Sequence, residues 1–330
     1  MAIYGRKYGR VSATLVLAVL LLCLLPGSCV SRRQSAKEAA PLQFPTVKVP
    51  SVYSDPSEAA EYLSEHYWDA FFALDGRTDS LKIQGVPEGE VEQAFANYLG
   101  LLSQLPLPQA QKGMKILFGK MEARHLADTA SRCYIAFSDI VSRYLYDPNS
   151  PLRDEDLYLP FVQGLAESPC TRENYRVAYR HEAGMCSMNP RGSVAPDFVI
   201  TRRDGSRFNL HSVKAKHLLL FFSNPGCHAC KEIIDQVMAI PNIEARMASR
   251  EIAVVNVYID EDLKAWREYE HNYPRSWYSG YDAAGIIRED LLYNVRAIPS
   301  LYLLDAEKRV VFKDAPTERV VAVLTEPRRR

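Results

Sequence analysis

The chain has 330 residues, 47% of them hydrophobic, and its 40 basic residues balance 40 acidic ones. That length favours two domains, each with enough apolar residues for its own core. The zero balance removes any bulk electrostatic case for nucleic acid or an anionic membrane surface as a partner, and the closing Arg328-Arg329-Arg330 reads as a solvated tail.

The first residues read as an address rather than as fold. Arg6, Lys7 and Arg10 form a positive stretch, and Ala13 to Leu25 is an apolar run too short to span a bilayer. Leu25-Pro26-Gly27-Ser28-Cys29 follows. Small residues ahead of a cysteine resemble the lipobox of bacterial lipoproteins, in which the cysteine is acylated and becomes the new N-terminus. Pro26 stands where that pattern has an aliphatic residue. The resemblance implies a signal peptide over residues 1–28, a lipid on Cys29, and a periplasmic protein anchored to a bacterial membrane. Ordinary signal cleavage with an unmodified Cys29 is the other reading.

Export places the rest in a compartment that permits disulfides. Of seven cysteines, Cys23 lies in the signal and Cys29 is the expected anchor, leaving Cys133, Cys170, Cys186, Cys227 and Cys230. If the last two are a redox pair, three remain and one of them stays reduced. Cys170 with Cys186 is one pairing that spacing leaves open.

Residues 29–50 contain Pro41, Pro45 and Pro50 with no sustained period, and read as a linker. Asp55-Pro56-Ser57-Glu58 then has the form of a helix start, with an N-cap, a first-turn proline and a carboxylate three residues on. Ala60, Leu63, Tyr67 and Phe71 supply an apolar face. Further helices are predicted at about 88–104, 108–127, 130–146, 153–167 and 171–184, punctuated by Pro106, Asp147-Pro148 and Pro151. Residues 51–190 therefore predict an all-α domain with no strand alternation. It carries no acid–base pair, nucleophile or phosphate loop.

After Pro190 the texture changes, and residues 191–330 predict an α/β domain. Phe198-Val199-Ile200 and Phe208-Asn209-Leu210 flank the turn signal Asp204-Gly205. His217 to Phe222 is a continuous apolar run, as expected of a strand buried on both faces, and Ile252 to Tyr258 is a second. Residues 228–248 read as one helix and 262–271 as another. An aromatic loop at 273–281 follows, placed either against substrates or over the sheet edge, and then a short helix at 284–291. Leu301 to Leu304 and Val310 to Phe312 are strands, and a last helix covers 316–325. The order is ββ–βα–βα–ββα, parallel at the first crossover and antiparallel at the end.

The chemistry lies in Cys227-His228-Ala229-Cys230, at the start of a helix behind a buried strand. Positions i and i+3 there bring two Cα atoms within the roughly 4.4–6.8 Å that a disulfide tolerates. Free amides and the positive end of the helix dipole favour a thiolate on the first cysteine, while the second lies deeper and can resolve a mixed disulfide. Gly226 leaves the approach open. No second CxxC or His/Cys pair is nearby to complete a zinc site. His66, His125, His181, His211, His217 and His271 are scattered without ligand spacing.

Three blocks in order carry a resemblance to the thioredoxin superfamily and its TlpA/ResA-like thiol–disulfide oxidoreductases. They are Ala195-Pro196-Asp197-Phe198, then Phe221 through Glu232 around the CxxC pair, then Tyr293 through Asp305 around Pro299. The resemblance covers about 195–326. It implies a thioredoxin-like fold, a central mixed sheet flanked by helices, behind the N-terminal all-α domain. It also implies a cis Pro299 facing the dithiol, which keeps metal away and presents backbone to an extended substrate.

Cys227 is then the attacking thiol, Cys230 the resolving one, and His228 a stabiliser of the thiolate. The cysteines carry the electrons, so no cofactor is expected. The partners implied are protein thiols and disulfides, an unidentified redox partner, and the membrane through the lipid.

Several positions depart from the family. Where peroxiredoxins have Thr or Ser three residues before their cysteine and Pro four before that, this chain has Asn224 and Leu220, which argues against a peroxidase. Thioredoxin's buried Asp is Phe221 here, and the Glu of ResA-like proteins is Ile233, with Glu232 one place early. Residues 51–190 resemble an uncharacterised helical domain found ahead of thioredoxin modules in bacterial lipoproteins. That likeness implies a part that recognises a partner or places the redox module relative to the membrane. The competing function is a binding lipoprotein whose CxxC pair is a static disulfide on a scaffold.

Overall fold

A computed structural model describes residues 40–76 and 78–326. The expected signal peptide and Cys29 lie outside the described residues. From Asp55 the chain behaves as its capping signals dictate. The Asp55 side chain accepts from the amides of Ser57 and Glu58 and starts α1 (Pro56–His66). A short α2 (Asp69–Phe72) follows. Four longer elements come next: α3 (Glu88–Leu102), α4 (Leu107–Ala127), α5 (Cys133–Leu145) and α6 (Glu155–Glu167). The helical half closes with α7 (Glu173–Cys186). Between α2 and α3 lies a small antiparallel pair absent from the sequence reading, β1 (Lys82–Ile83) and β2 (Val86–Pro87).

The core of this half is built around Trp68, whose ring meets Phe44, Phe71, Tyr98 and Phe137 edge-on. Phe44 comes from the stretch read as a linker, and its amide also donates to Glu90 Oε2 at 3.2 Å. Phe44 is partly buried, so it contributes part of the roughly 1.5–3 kcal/mol of a fully buried ring and ties that segment to the helices. At Gly113 on α4, a Cβ would lie 2.7 Å from the Tyr98 hydroxyl and 3.1 Å from the Ser64 carbonyl that the hydroxyl donates to. Glycine is thus what lets α4 approach α1 and α3.

Helix α6 begins with Asp154, whose side chain accepts from the amides of Asp156 and Leu157. Pro160 inside it has no N–H for the Asp156 carbonyl four residues back. That carbonyl instead accepts from Gln111 Nε2 at 2.9 Å, so the interior proline leaves no orphan.

The second half is a seven-stranded mixed sheet. Its strands are β3 (Val199–Thr201), β4 (Arg207–Asn209), β5 (His217–Phe222), β6 (Ile252–Tyr258), β7 (Tyr278–Tyr281), β8 (Ser300–Leu304) and β9 (Val310–Phe312). The spatial order is β4-β3-β7-β6-β5-β8-β9. The β5–β6 and β6–β7 pairs are parallel, and β5–β8 and β8–β9 are antiparallel. Leu219 and Phe221 of β5 face one core with α8 (His228–Met238) and α11 (Thr317–Thr325), whereas Leu218, Leu220 and Phe222 face the other with Tyr293 and Tyr302. A strand sandwiched in this way has to be apolar without alternation, which is what its sequence shows.

Three sequence expectations are corrected here. The helix read over 228–248 is two, α8 and α9 (Ile243–Ala248), because Pro241 and a left-handed Asn242 (φ 57°) break it. No helix forms at 284–291; the Asp282 carboxylate captures the amides of Ala284 and Ile287, and Gly285 turns the chain at φ +72°. The aromatic segment 273–281 is partly strand: β7 enters the sheet between β6 and β3, with α10 (Leu263–Tyr269) before it. Tyr273 and Trp277 are buried in the α8-side core.

The two halves meet through ionised groups. Asp154 holds both Arg191 and Arg319, the latter at 2.6 Å, and Arg191 reaches Asp156 at 2.8 Å. Lys313, on the sheet side, donates to the carbonyls of Cys186 and Met188 and lies 3.5 Å from Asp156 and 3.7 Å from Glu155. Burial alone would raise Asp154, but Arg191 and Arg319 outweigh it and hold the carboxyl below its usual range.

Candidate functional site

Strand β5 ends at Phe222, and Ser223-Asn224-Pro225-Gly226 lead directly to the first cysteine. Gly226 takes φ +70°, and a Cβ there would meet open space, so conformation rather than crowding demands glycine. Cys227 is the N-cap of α8, and its Sγ accepts from the Cys230 amide at 3.1 Å. A sulfur at that place sits against free amides and the positive pole of the helix, the setting that favours a thiolate. The two cysteines are joined as a disulfide with Cα atoms 5.2 Å apart. Cys227 is partly exposed, whereas Cys230 is 2% exposed, so one sulfur meets solvent and the other lies behind it.

The loop is pinned from the β6 end. Asn224 Nδ2 donates to Asp260 at 2.5 Å, and Arg288 holds the other oxygen of that carboxylate. Beneath it, Ser223 Oγ donates to Asn256 Oδ1 at 2.6 Å and lies 3.1 Å from the Tyr273 hydroxyl, which burial raises above the usual phenol range. Asn256 pairs across the sheet with Phe221, the place of thioredoxin's acid. A neutral polar cluster therefore lies beside an apolar ring where that family has a carboxylate.

The Ile298–Pro299 bond is cis. Ser300, the next residue, opens β8 directly opposite Phe222, so Pro299 and the Cys227 loop lie at the same end of the sheet. Ile298 and Cys227 both pack on the core that contains Cys230. The structure thus gathers Cys227, Cys230 and Pro299. His228 faces away into solvent with 87% of its side chain exposed, its Nδ1 3.5 Å from Glu232 Oε1. An exposed contact of that length contributes little.

Cys133, Cys170 and Cys186 are free. The open pairing of Cys170 with Cys186 is not made: Cys186 ends the 14-residue helix α7, whose first residue, Glu173, lies three positions after Cys170 and about 20 Å from Cys186 along the axis. Burial pushes the Cys133 thiol up to about 12. Among the described residues, no group of three His, Cys, Asp or Glu side chains is placed to hold a metal ion.

Sequence reasoning missed the charges that tether the Pro299 loop. Asn294 Nδ2 donates to Glu155 Oε1 at 2.8 Å, and Arg296 Nη2 donates to Asp314 at 2.6 Å. The signal was the run Arg153-Asp154-Glu155-Asp156, acids in a first helical turn, which ordinarily face water.

Comparison with known proteins gives this geometry a family. A solved thioredoxin-like protein from Bacteroides caccae is 34% identical, covering 86% of this chain and 98% of that one with a TM-score of 0.73. The chain belongs to the thioredoxin-like proteins. Residues 27–189 of this thioredoxin-like protein match a family described as a domain of unknown function, DUF5106. The chain is similar to the thiol–disulfide oxidoreductase ResA of Bacillus subtilis, 27% identical over 122 residues, or 36% of this chain and 64% of ResA. It is also similar to probable nucleoredoxin 1 of Arabidopsis thaliana, 29% identical over 119 residues, 36% of this chain and 20% of that protein. The chain spans less than two thirds of either curated relative.

Proposed function

We propose that this protein is a thiol–disulfide oxidoreductase of the periplasm, exchanging disulfides with protein substrates through Cys227 and Cys230. The observation that carries the reading is the asymmetry of the pair: one sulfur reachable at a helix N-terminus, its twin buried behind it, and a cis-proline at the same sheet end. When the pair is reduced, the Cys227 thiolate attacks a substrate disulfide; its Sγ bonds one substrate sulfur and the other leaves as a thiolate that takes a proton. Cys230 then loses its proton and attacks Cys227 Sγ, breaking the mixed disulfide and releasing the second substrate thiol. Run in reverse, the same steps oxidise a substrate dithiol. Electrons stay on sulfur throughout, and no organic cofactor enters. Pro299 shapes the substrate surface.

In this reading residues 51–190 form a helical domain and 191–330 the redox module, with a lipid on Cys29 as the anchor. Leu25-Pro26-Gly27-Ser28 ahead of Cys29 supports the anchor, and the mass of the mature N-terminus tests it. Trapping tests the chemistry. Cys230→Ala should accumulate mixed disulfides with a protein disulfide substrate, and Cys227→Ala should not. If Cys230→Ala traps nothing while the pair resists reduction by dithiothreitol, the static-scaffold reading stands in its place.

A further inference from the structure

The loop that ends in Pro299 is held on both sides, and most of its holders come from the other half of the chain. Ahead of the proline, Glu155 Oε1 accepts from Asn294 Nδ2 at 2.8 Å and lies 2.8 Å from Arg296 Nε. Arg296 Nη1 donates to the Tyr146 carbonyl, and its guanidinium lies 4.2 Å above the centre of the Tyr146 ring. After the proline, Ser300 Oγ donates to Asp314 Oδ1 at 3.0 Å, and Arg296 Nη2 takes the other oxygen. The carbonyl of Asp314 in turn accepts from Arg153 Nε at 2.9 Å, and that of Ala315 from Arg153 Nη2 at 3.0 Å. Glu155, Tyr146 and Arg153 all belong to the helical half. The Glu155 side chain is 1% exposed and that of Arg296 12%, so water does not compete for these bonds.

We propose that Glu155 and Arg296 are positioning residues for the redox site, and that the helical half sets the backbone of residues 297–299 against the disulfide. The inference rests on the oxidoreductase reading and on Pro299 presenting backbone to substrate. A planar guanidinium whose two amino groups each donate to a separate acceptor, with the Glu155 carboxyl close to its third edge, fixes direction as well as distance, which a lysine cannot do. A loop whose two flanks are fixed keeps the proline carbonyls in one place, and small misplacements there weaken substrate contacts.

The test uses the full chain, a disulfide-bonded peptide as substrate and dithiothreitol as reductant. Arg296→Lys and Glu155→Ala should raise KM about tenfold with kcat held within about twofold. Glu155→Gln, which keeps the acceptor for Asn294 and the packing beside Arg296, should recover most of the loss. Lost folding alone shrinks the active fraction and lowers kcat at constant KM. That pattern, or an unchanged KM in folded variants, overturns the proposal. If Glu155→Ala does not fold, Arg296→Lys decides. Wild-type protein that turns over no peptide disulfide removes the oxidoreductase reading itself.

Discussion

Replacing Asp154 by alanine removes two kinds of support at once, and their sizes follow from the contacts. The side chain accepts from the amides of Asp156 and Leu157, so its loss uncaps α6 at about 1 kcal/mol. It is also the carboxylate between Arg191 and Arg319. Removing one partner from a buried ion pair costs about 3–5 kcal/mol, but Arg191 keeps Asp156 and a third of the Arg319 side chain is exposed, so the lower end applies. The sum is about 4 kcal/mol, a large share of the roughly 5–15 kcal/mol by which a folded protein is stable. Asp154→Asn keeps an oxygen for the two amides and should lose about 3 kcal/mol, the difference being the cap. Urea unfolding monitored by circular dichroism reads both, provided the slope is unchanged between variants. A loss for Asp154→Ala under about 1 kcal/mol would refute the reasoning, because it would mean that the seam between the halves is already wet. Equal losses for both variants would show that the cap contributes nothing.

Two further outcomes follow from ionisation and burial. Burial pushes the Glu155 carboxyl up to about 7 despite Arg296 and Lys313, so the folded state holds that proton more tightly than the unfolded one. Its contribution to stability is full below the ordinary carboxylate range and is lost as pH rises through about 7, whereas that of Asp154, held low, is lost as pH falls. The thermal midpoint of wild type should therefore fall between about pH 5 and pH 8 relative to Glu155→Gln, and parallel curves would contradict this. In native oxidised protein a maleimide should label Cys170, which is partly exposed, and leave Cys133 and Cys186 untouched until unfolding; prompt labelling of Cys133 would show that its site opens.

What was legible in the sequence was local. The CxxC spacing, the unbroken apolar run of β5 and the proline ahead of β8 each carry their meaning within a few residues, because strand burial, helix capping and turn chemistry are short-range effects. The break between α8 and α9 is also local: Pro241 has no amide to continue a helix, and Asn242 beside it takes a left-handed turn. The strand β7 was harder. Its Gly280 lies where a Cβ would come within 2.5 Å of Ile200 and 2.7 Å of the Thr201 carbonyl, a fit that exists only once β3 is beside it. The acids at 154–156 were hardest, because their partners Arg191, Arg296, Lys313 and Arg319 lie 35 to 165 residues away, and no periodicity announces such pairs.

Lys313 has a bearing on how this protein can be taken apart. Its ammonium ends on the carbonyls of Cys186 and Met188, just ahead of the point where the chain passes from helices to sheet. A piece beginning at residue 191 would turn that nitrogen, together with Arg296 and Asp314, outward as a hydrated, polar flank that the whole chain keeps dry. Measurements on such a truncated piece would describe a molecule with a different surface beside its proline loop.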